Sequence, residues 1–174
     1  MPGRLVGDVL ADLISLTSRF DSNPLSILDL VVETDPLLNA TDDVACGFEA
    51  LSESFCDSVA VVDGEGLFFG MFGVAESIRA AFPGYLWELT SPELLGRGLD
   101  PMLLGGDESS CRIADLADRR RICVGSDFSI STLACLFVRH QVSVVPVLDR
   151  GVPSGVVPRQ SLLDRVLVPQ MRTR

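Results

Sequence analysis

The strongest constraint on how this chain folds is an internal repeat. Pro36-Leu37-Leu38-Asn39-Ala40-Thr41-Asp42-Asp43-Val44 lies 86 residues before Ile122-Cys123-Val124-Gly125-Ser126-Asp127-Phe128-Ser129-Ile130. Each segment is a short apolar stretch followed by a polar turn carrying Thr or Ser with Asp, the pattern by which a strand hands over to a helix N-cap. At the same separation Val44, Gly47, Leu51 and Phe55 match Ile130, Leu133, Phe137 and Gln141, a mostly apolar face at helical spacing. Asp57-Ser58-Val59-Ala60-Val61-Val62-Asp63 then matches Ser143-Val144-Val145-Pro146-Val147-Leu148-Asp149, and β-branched residues predominate in both. Gly-containing turns follow, the second one residue shorter. At the resulting separation of 85, Gly70-Met71-Phe72-Gly73-Val74-Ala75-Glu76-Ser77-Ile78 matches Gly155-Val156-Val157-Pro158-Arg159-Gln160-Ser161-Leu162-Leu163. Each copy therefore reads strand, helix, strand, strand, helix. Identities are few, so the order and spacing of elements carry the repeat. A copy of fewer than about 50 residues buries too little apolar surface to stand alone, which requires the two to share a core.

Outside the repeat, Leu5, Val6, Val9, Leu10, Leu13, Ile14 and Leu16 mark an amphipathic helix within residues 1–20. Residues 84–110 carry Ser-Pro, Asp-Pro and Gly-Gly punctuation around short apolar pieces, predicting a long connector with one helix near Ser91 to Arg97. Trp87, beside Tyr85, is expected to plug the core there, with an adenine-stacking platform as the lesser alternative. The domain boundaries follow: a helix at 1–20, a first unit at 21–83, the connector at 84–110 and a second unit at 111–174.

Charge is distributed unevenly over this plan. The 174 residues hold 24 acidic and 14 basic side chains with one His, a net charge of −10, and every basic residue is Arg. Residues 1–111 contain 4 basic and 19 acidic side chains, whereas 112–174 contain 10 basic and 5 acidic. So small and local a basic excess argues against general nucleic-acid binding. No apolar run reaches the ~18 to 20 residues that span a bilayer, and Asp8 and Asp12 interrupt the apolar N-terminus, so the expectation is a cytoplasmic protein without a membrane segment. Cys46, Cys56, Cys111, Cys123 and Cys135 form no Cys-x-x-Cys pair and His140 is the single imidazole, so no structural metal site is expected.

The run from Phe128 to Asp149, followed by Gly155 to Leu163, resembles a cystathionine beta-synthase (CBS) domain. The likeness rests on a helix ending one turn before an apolar-Pro-Val-apolar-Asp strand (Val145 to Asp149), then Gly-apolar-apolar (Gly155 to Val157) leading into the last helix. The first copy has Ala60 where the strand proline is expected, with Val61-Val62-Asp63 and Gly70-Met71-Phe72 in the right places. The resemblance implies a tandem pair, or Bateman module: an α/β fold of the α+β sandwich type, in which two β-α-β-β-α units pack with pseudo-twofold symmetry. It further implies a homodimer, a regulatory and non-catalytic role toward a protein partner, and clefts for adenosyl ligands such as AMP, ADP, ATP or S-adenosylmethionine, with no cofactor required.

In that family the turn after Gly-apolar-apolar carries Thr or Ser, then two residues, then an Asp for the ribose hydroxyls. An ionised carboxylate suits the task because it offers only acceptors. These positions are Gly73 and Glu76 in the first copy and Pro158 and Ser161 in the second, so neither keeps the full pattern. Arg159, at a helix start, suits a phosphate, as do Arg139 and His140 at the end of the preceding helix and Arg119 to Arg121, the last of them beside Ile122 and Cys123, ahead of the first strand. Should these converge, the second copy supplies phosphate contacts and the first a ribose acid. The same arginines also suit a solvated surface or pairing with the acidic half. A ligand-free pair kept for dimerisation or protein interaction is the alternative function, favoured by the missing Thr or Ser to Asp patterns.

Three catalytic near misses carry less. Gly151-Val-Pro-Ser-Gly155 resembles a nucleophile elbow but has its Ser in the fourth place and joins strand to strand. Gly64-Glu-Gly-Leu-Phe-Phe-Gly70 has near-dinucleotide spacing but opens no helix. Gly105-Gly-Asp-Glu108 lies in the connector with no room for the larger cyclase fold it echoes.

Overall fold

The computed structural model describes residues 27–34, 36–82 and 111–168. The helix expected at 1–20, and the 84–110 connector with Trp87, lie outside the described residues.

In the first repeat, β1 (Leu38–Asn39), α1 (Val44–Glu53), β2 (Ser58–Val62), β3 (Phe68–Gly73) and α2 (Val74–Ala81) follow one another. In the second the same order recurs as β4 (Val124–Gly125), α4 (Ile130–His140), β5 (Val144–Asp149), β6 (Val152–Pro158) and α5 (Arg159–Leu162), which continues into a π turn over Leu163–Leu167. Between them lies α3 (Ile113–Leu116), and a single 3-10 turn, Ile27–Leu30, precedes the first repeat. The expected α/β architecture is present: two three-stranded mixed sheets ordered β1-β2-β3 and β4-β5-β6.

Register follows from the pleat. β1 runs parallel to β2, Leu38 opposite Val61, and β4 runs parallel to β5, Val124 opposite Val147. β2 and β3 form an antiparallel hairpin, Val59 opposite Phe72, with an irregularity between Val61 and Val62. Its turn is held by the Asp63 carboxylate, which accepts from the Glu65 and Leu67 amides at 2.9 Å each. The shorter second turn uses Arg150 and Gly151, both at positive φ, the combination that two-residue hairpins demand. Central strands β2 and β5 are buried along nearly their whole length and so read as apolar runs without alternation.

One helix differs from its predicted span. α1 stops at Glu53, and Phe55, expected on its apolar face, is fully exposed. Ser54 turns extended and its hydroxyl accepts from the Cys56 amide at 3.0 Å, a local bond that competes with a further helical turn. Gln141, the counterpart of Phe55, caps α4 in the left-handed conformation and is exposed as well.

The described chain divides into two compact units that do not coincide with the two repeats. The first sheet gathers residues 34–82 (35 aside), 111–121 and the β5–β6 turn Arg150–Pro153; the second gathers 27–33, Ile122–Asp149 and 154–168. Ile113 is buried in the core of the first sheet with Val61 and Phe72, and Leu30 in the core of the second with Leu133 and Val145. The leading segments also close the outer sheet edges. Asp118 and Met71 exchange both backbone hydrogen bonds (3.0 and 2.8 Å) beside β3, and Val32 and Val156 do the same beside β6 (2.8 Å each). Each repeat thus completes its sheet with the leading segment of the other. The sequence carries a sign of this equivalence: Ile27-Leu28-Asp29-Leu30 lies 86 residues before Ile113-Ala114-Asp115-Leu116.

Candidate functional site

Strand direction decides which residues meet. In the second unit β4 and β5 are parallel and enter the sheet from one edge, while β6 returns to that edge. Ile122 and Cys123 before β4, Ser143 before β5, and Pro158, Arg159 and Ser161 at the end of β6 therefore gather there. The Arg159 amide donates to the Ser143 carbonyl at 2.7 Å and fastens two of the three segments. The left-handed Gln141 ends α4, so Arg139 and His140 come within a few residues of the start of β5 at this edge. Arg139, His140 and Arg159 are exposed, whereas Ile122, Cys123, Pro158 and Ser161 are half-buried. The result is a partly apolar edge fringed by cationic and hydroxyl groups. Arg121, exposed, belongs to the first unit, and Ile122 next to it in the chain to the second. Since α5 makes only one α turn before the π turn, an anion here depends on the guanidinium more than on a helix dipole.

The first unit repeats this geometry with different chemistry. Val74 N–H donates to the Asp57 carbonyl at 3.0 Å, the counterpart of the Arg159 to Ser143 bond. Where the second unit presents Arg159, however, the first presents exposed Val74. Glu76 is turned back on its own helix: one carboxylate oxygen accepts from Gly73 N–H at 3.1 Å and the other lies 3.5 Å from the Arg79 guanidinium. A Cβ at Gly73 would stand 2.6 Å from the Ser58 hydroxyl and 2.9 Å from the Asp57 carbonyl, leaving no room for the expected Thr or Ser without rearrangement. The acid thus belongs to a different unit from most of the phosphate-matching residues: Gly73, Glu76 and Arg121 lie in the first, and Arg139, His140, Arg159 and Ser161 in the second.

A second ion pair stands near Glu76. Arg120 clasps Asp118 through Nε at 2.8 and 3.0 Å and through Nη2 at 2.6 Å. The Arg120 side-chain hydrogen bond holds the Asp118 carboxyl below its ordinary range, with help from the charge of Arg79. A folded-state pKa below the unfolded one contributes stability above the unfolded value, and that contribution disappears as pH falls through the folded value. Asp118→Asn is expected to cost about 0.5–1 kcal/mol at neutral pH, the scale of a partly exposed pair. The gap between variant and wild type should narrow on acidification below the ordinary Asp range. Urea melts of both proteins across pH 2.5 to 7 check this, and a gap constant down to the acid end would refute it.

Of the catalytic near misses, the Gly64–Gly70 and Gly151–Gly155 stretches join strand to strand, and Gly105–Glu108 lies outside the described residues. Ser154 lies within β6 and donates its hydroxyl to the Val147 carbonyl at 3.2 Å. None of the five cysteines is in a disulfide, and among the described residues no group of three or more His, Cys, Asp or Glu could hold a metal ion. No described helix is long and apolar enough to cross a membrane.

Comparison with known proteins agrees with this architecture. The family model for the CBS domain matches residues 113–168. No curated protein matches the sequence. Among solved structures, the CBS domain of a CBS domain containing membrane protein from Sphaerobacter thermophilus superposes with a TM-score of 0.64 at 21% identity, covering 90% of this chain and 96% of that one. A CBS domain protein from Streptococcus pneumoniae TIGR4 gives 0.57 at 19% identity over 95% and 96% of the two chains. CBSX2, solved in complex with AMP, gives 0.55 at 15% identity over 77% and 88%.

Proposed function

Taking as premise that the chain is a CBS-domain protein with two β-α-β-β-α-like units, we infer that it is a non-catalytic regulatory sensor whose second unit takes an adenosine phosphate. The observation that carries this reading is the meeting of three chain segments at one sheet edge with Arg159 exposed beside them, where the first unit has Val74. Arg159, Arg139 and His140, with Arg121, supply charge for the phosphate. Ser161 offers its hydroxyl to the ribose, and Ile122, Cys123 and Pro158 offer half-buried surface to the base. The AMP complex of CBSX2, on the same fold, supports AMP as the first ligand to try. ADP, ATP and S-adenosylmethionine share its adenosyl part. The sensor acts as a homodimer on a protein partner, in a reducing compartment that suits five cysteines outside any disulfide.

Calorimetric titration with AMP, ATP and S-adenosylmethionine tests this directly. Binding tighter than about 1 mM, roughly −4 kcal/mol, is expected for at least one phosphate ligand, and its absence for all of them removes the sensing role. Arg159→Ala should weaken AMP about 10- to 100-fold, the loss of a charged hydrogen bond of about 1.5–3 kcal/mol, while binding of phosphate-free adenosine stays unchanged. Equal losses for AMP and adenosine would take the phosphate away from Arg159.

A second reading has its own support. With Glu76 committed to its helix cap and Ser161 in place of an acid, the pair lacks a free ribose carboxylate at these positions. A ligand-free dimerisation or protein-interaction module would then remain, and Arg159→Ala would change the dimer dissociation constant in sedimentation without any nucleotide effect.

A further inference from the structure

Among the described helices of eight or more residues, α2 alone buries none of its own residues. Ser77 stands where α5 has the buried Leu162, and Val74 and Ile78, one turn apart, are exposed. A helix this short is marginal in water and draws its stability from packing, so an apolar stripe left open on it calls for a partner. α1, which packs beside α2, buries Val44, Gly47 and Ala50 and exposes Phe48, Glu49 and Glu53. The exposed Arg79 lies 3.5 Å from Glu76, so Glu49 and Glu53 give this face its sign.

The second unit carries the complement. α4 buries Ile130, Leu133 and Phe137 and exposes Cys135, Val138 and Arg139, with Val138 77% exposed. α5, packed beside α4, and the π turn that follows it expose Arg159, Leu163, Arg165 and Leu167. The one acid among them, Asp164, accepts from the side-chain amide of Gln160 at 2.9 Å. Two first-unit faces would set Glu against Glu, and two second-unit faces Arg against Arg. One of each sets acid against base around an apolar centre, the complementarity that selects a partner and fixes its orientation.

We propose that two copies of this chain associate head to tail, the α1–α2 face of one copy's first unit lying on the α4–α5 face of the other copy's second unit. This rests on the homodimer reading and adds which surfaces meet and in which sense. Each contact takes one face from each copy. Phe48, Val74 and Ile78 of one copy meet Val138, Leu163 and Leu167 of the other, and Glu49 and Glu53 stand opposite Arg139 and Arg165.

The experiment is sedimentation equilibrium of the full chain without nucleotide. The wild type should dimerise, and raising NaCl from about 50 to about 500 mM, which shortens the screening length about threefold, should weaken the dimer about three- to tenfold. At the lower salt, Glu49→Arg/Glu53→Arg and Arg139→Glu/Arg165→Glu should each raise the dissociation constant by about tenfold or more, because each brings like charges together. All four substitutions in one chain restore opposite charges and should return the constant to within about threefold of wild type. A dimer that neither double variant weakens, or whose affinity ignores salt, keeps the homodimer and overturns the head-to-tail pairing. Losses that the four-site exchange leaves unrestored overturn the pairing as well, since they report damaged folding and not charge. A wild type that is monomeric at every salt overturns the homodimer reading and the pairing with it.

Discussion

Phe72→Ala is expected to destabilise the protein by about 3–5 kcal/mol, the usual cost of removing a buried phenyl ring. Phe72 is 0% exposed at the centre of the first core. The helix above it has given way to make room for the ring. A Cβ on Gly47 of α1 would stand 2.7 Å from Phe72 and equally close to the Ile113 side chain. The ring is therefore wedged between its own repeat's helix and the leading segment of the other repeat, and truncation leaves a cavity lined from both. Since single domains are commonly stable by only about 5–15 kcal/mol, such a loss should bring the variant near its unfolding threshold. Urea denaturation should show a lower midpoint at unchanged slope. A loss below about 1.5 kcal/mol would mean that the cavity collapses freely and that the ring is not the keystone of this core.

Gly70→Ala sets two effects of opposite sign against each other. Alanine in a strand is intrinsically favoured over glycine by about 0.5–1 kcal/mol, and Gly70 has no left-handed φ that would require glycine. Against this, the new methyl group would lie 2.6 Å from the carbonyl oxygen and 3.2 Å from the carbonyl carbon of Asp118, backbone atoms already committed to the Met71 bridge. Overpacking of this kind costs about 1–3 kcal/mol, so packing wins and the variant should be less stable. Gly155→Ala should behave alike, because its Cβ would meet the Val31 side chain and stand 3.1 Å from the Val32 carbonyl. Gly64→Ala is the control. Nothing lies within 4 Å of a Cβ at Gly64, and that substitution should be neutral or slightly stabilising. Thermal melts of the three variants distinguish the effects, and stabilisation by Gly70→Ala would show that the leading segment yields.

These glycines illustrate what could be read without coordinates. Hydrophobic spacing and β-branched runs placed the six strands and the repeated helices, because those signals are local. Gly70 and Gly155 were visible as matched positions, but the reason for them was not, since Asp118 and Val32 come from the opposite repeats. Spacing says that two segments are equivalent; it does not say which sheet each joins. The Ile-x-Asp-Leu match at Ile27 and Ile113 was available and would have extended the repeat upstream of Pro36. At the candidate site, Glu76 was recognisable as an acid in the right place. Its use as a cap depends on Gly73 N–H, a competition between backbone and ligand that no pattern of letters records. Phe55 failed for a related reason, the Ser54 hydroxyl bond that ends α1 early.

The exchanged leading segments also limit how this chain can be cut. A piece spanning 113–168, the part that matches the CBS family model, would begin with a turn whose buried Ile113 belongs to the sheet left behind. It would lack Val32, and so expose the outer backbone groups of Val156 on β6 as an unpaired edge, a template for strand addition by neighbouring molecules. Sequence similarity would draw the boundary of a module there, but excision at that boundary would yield a sticky half.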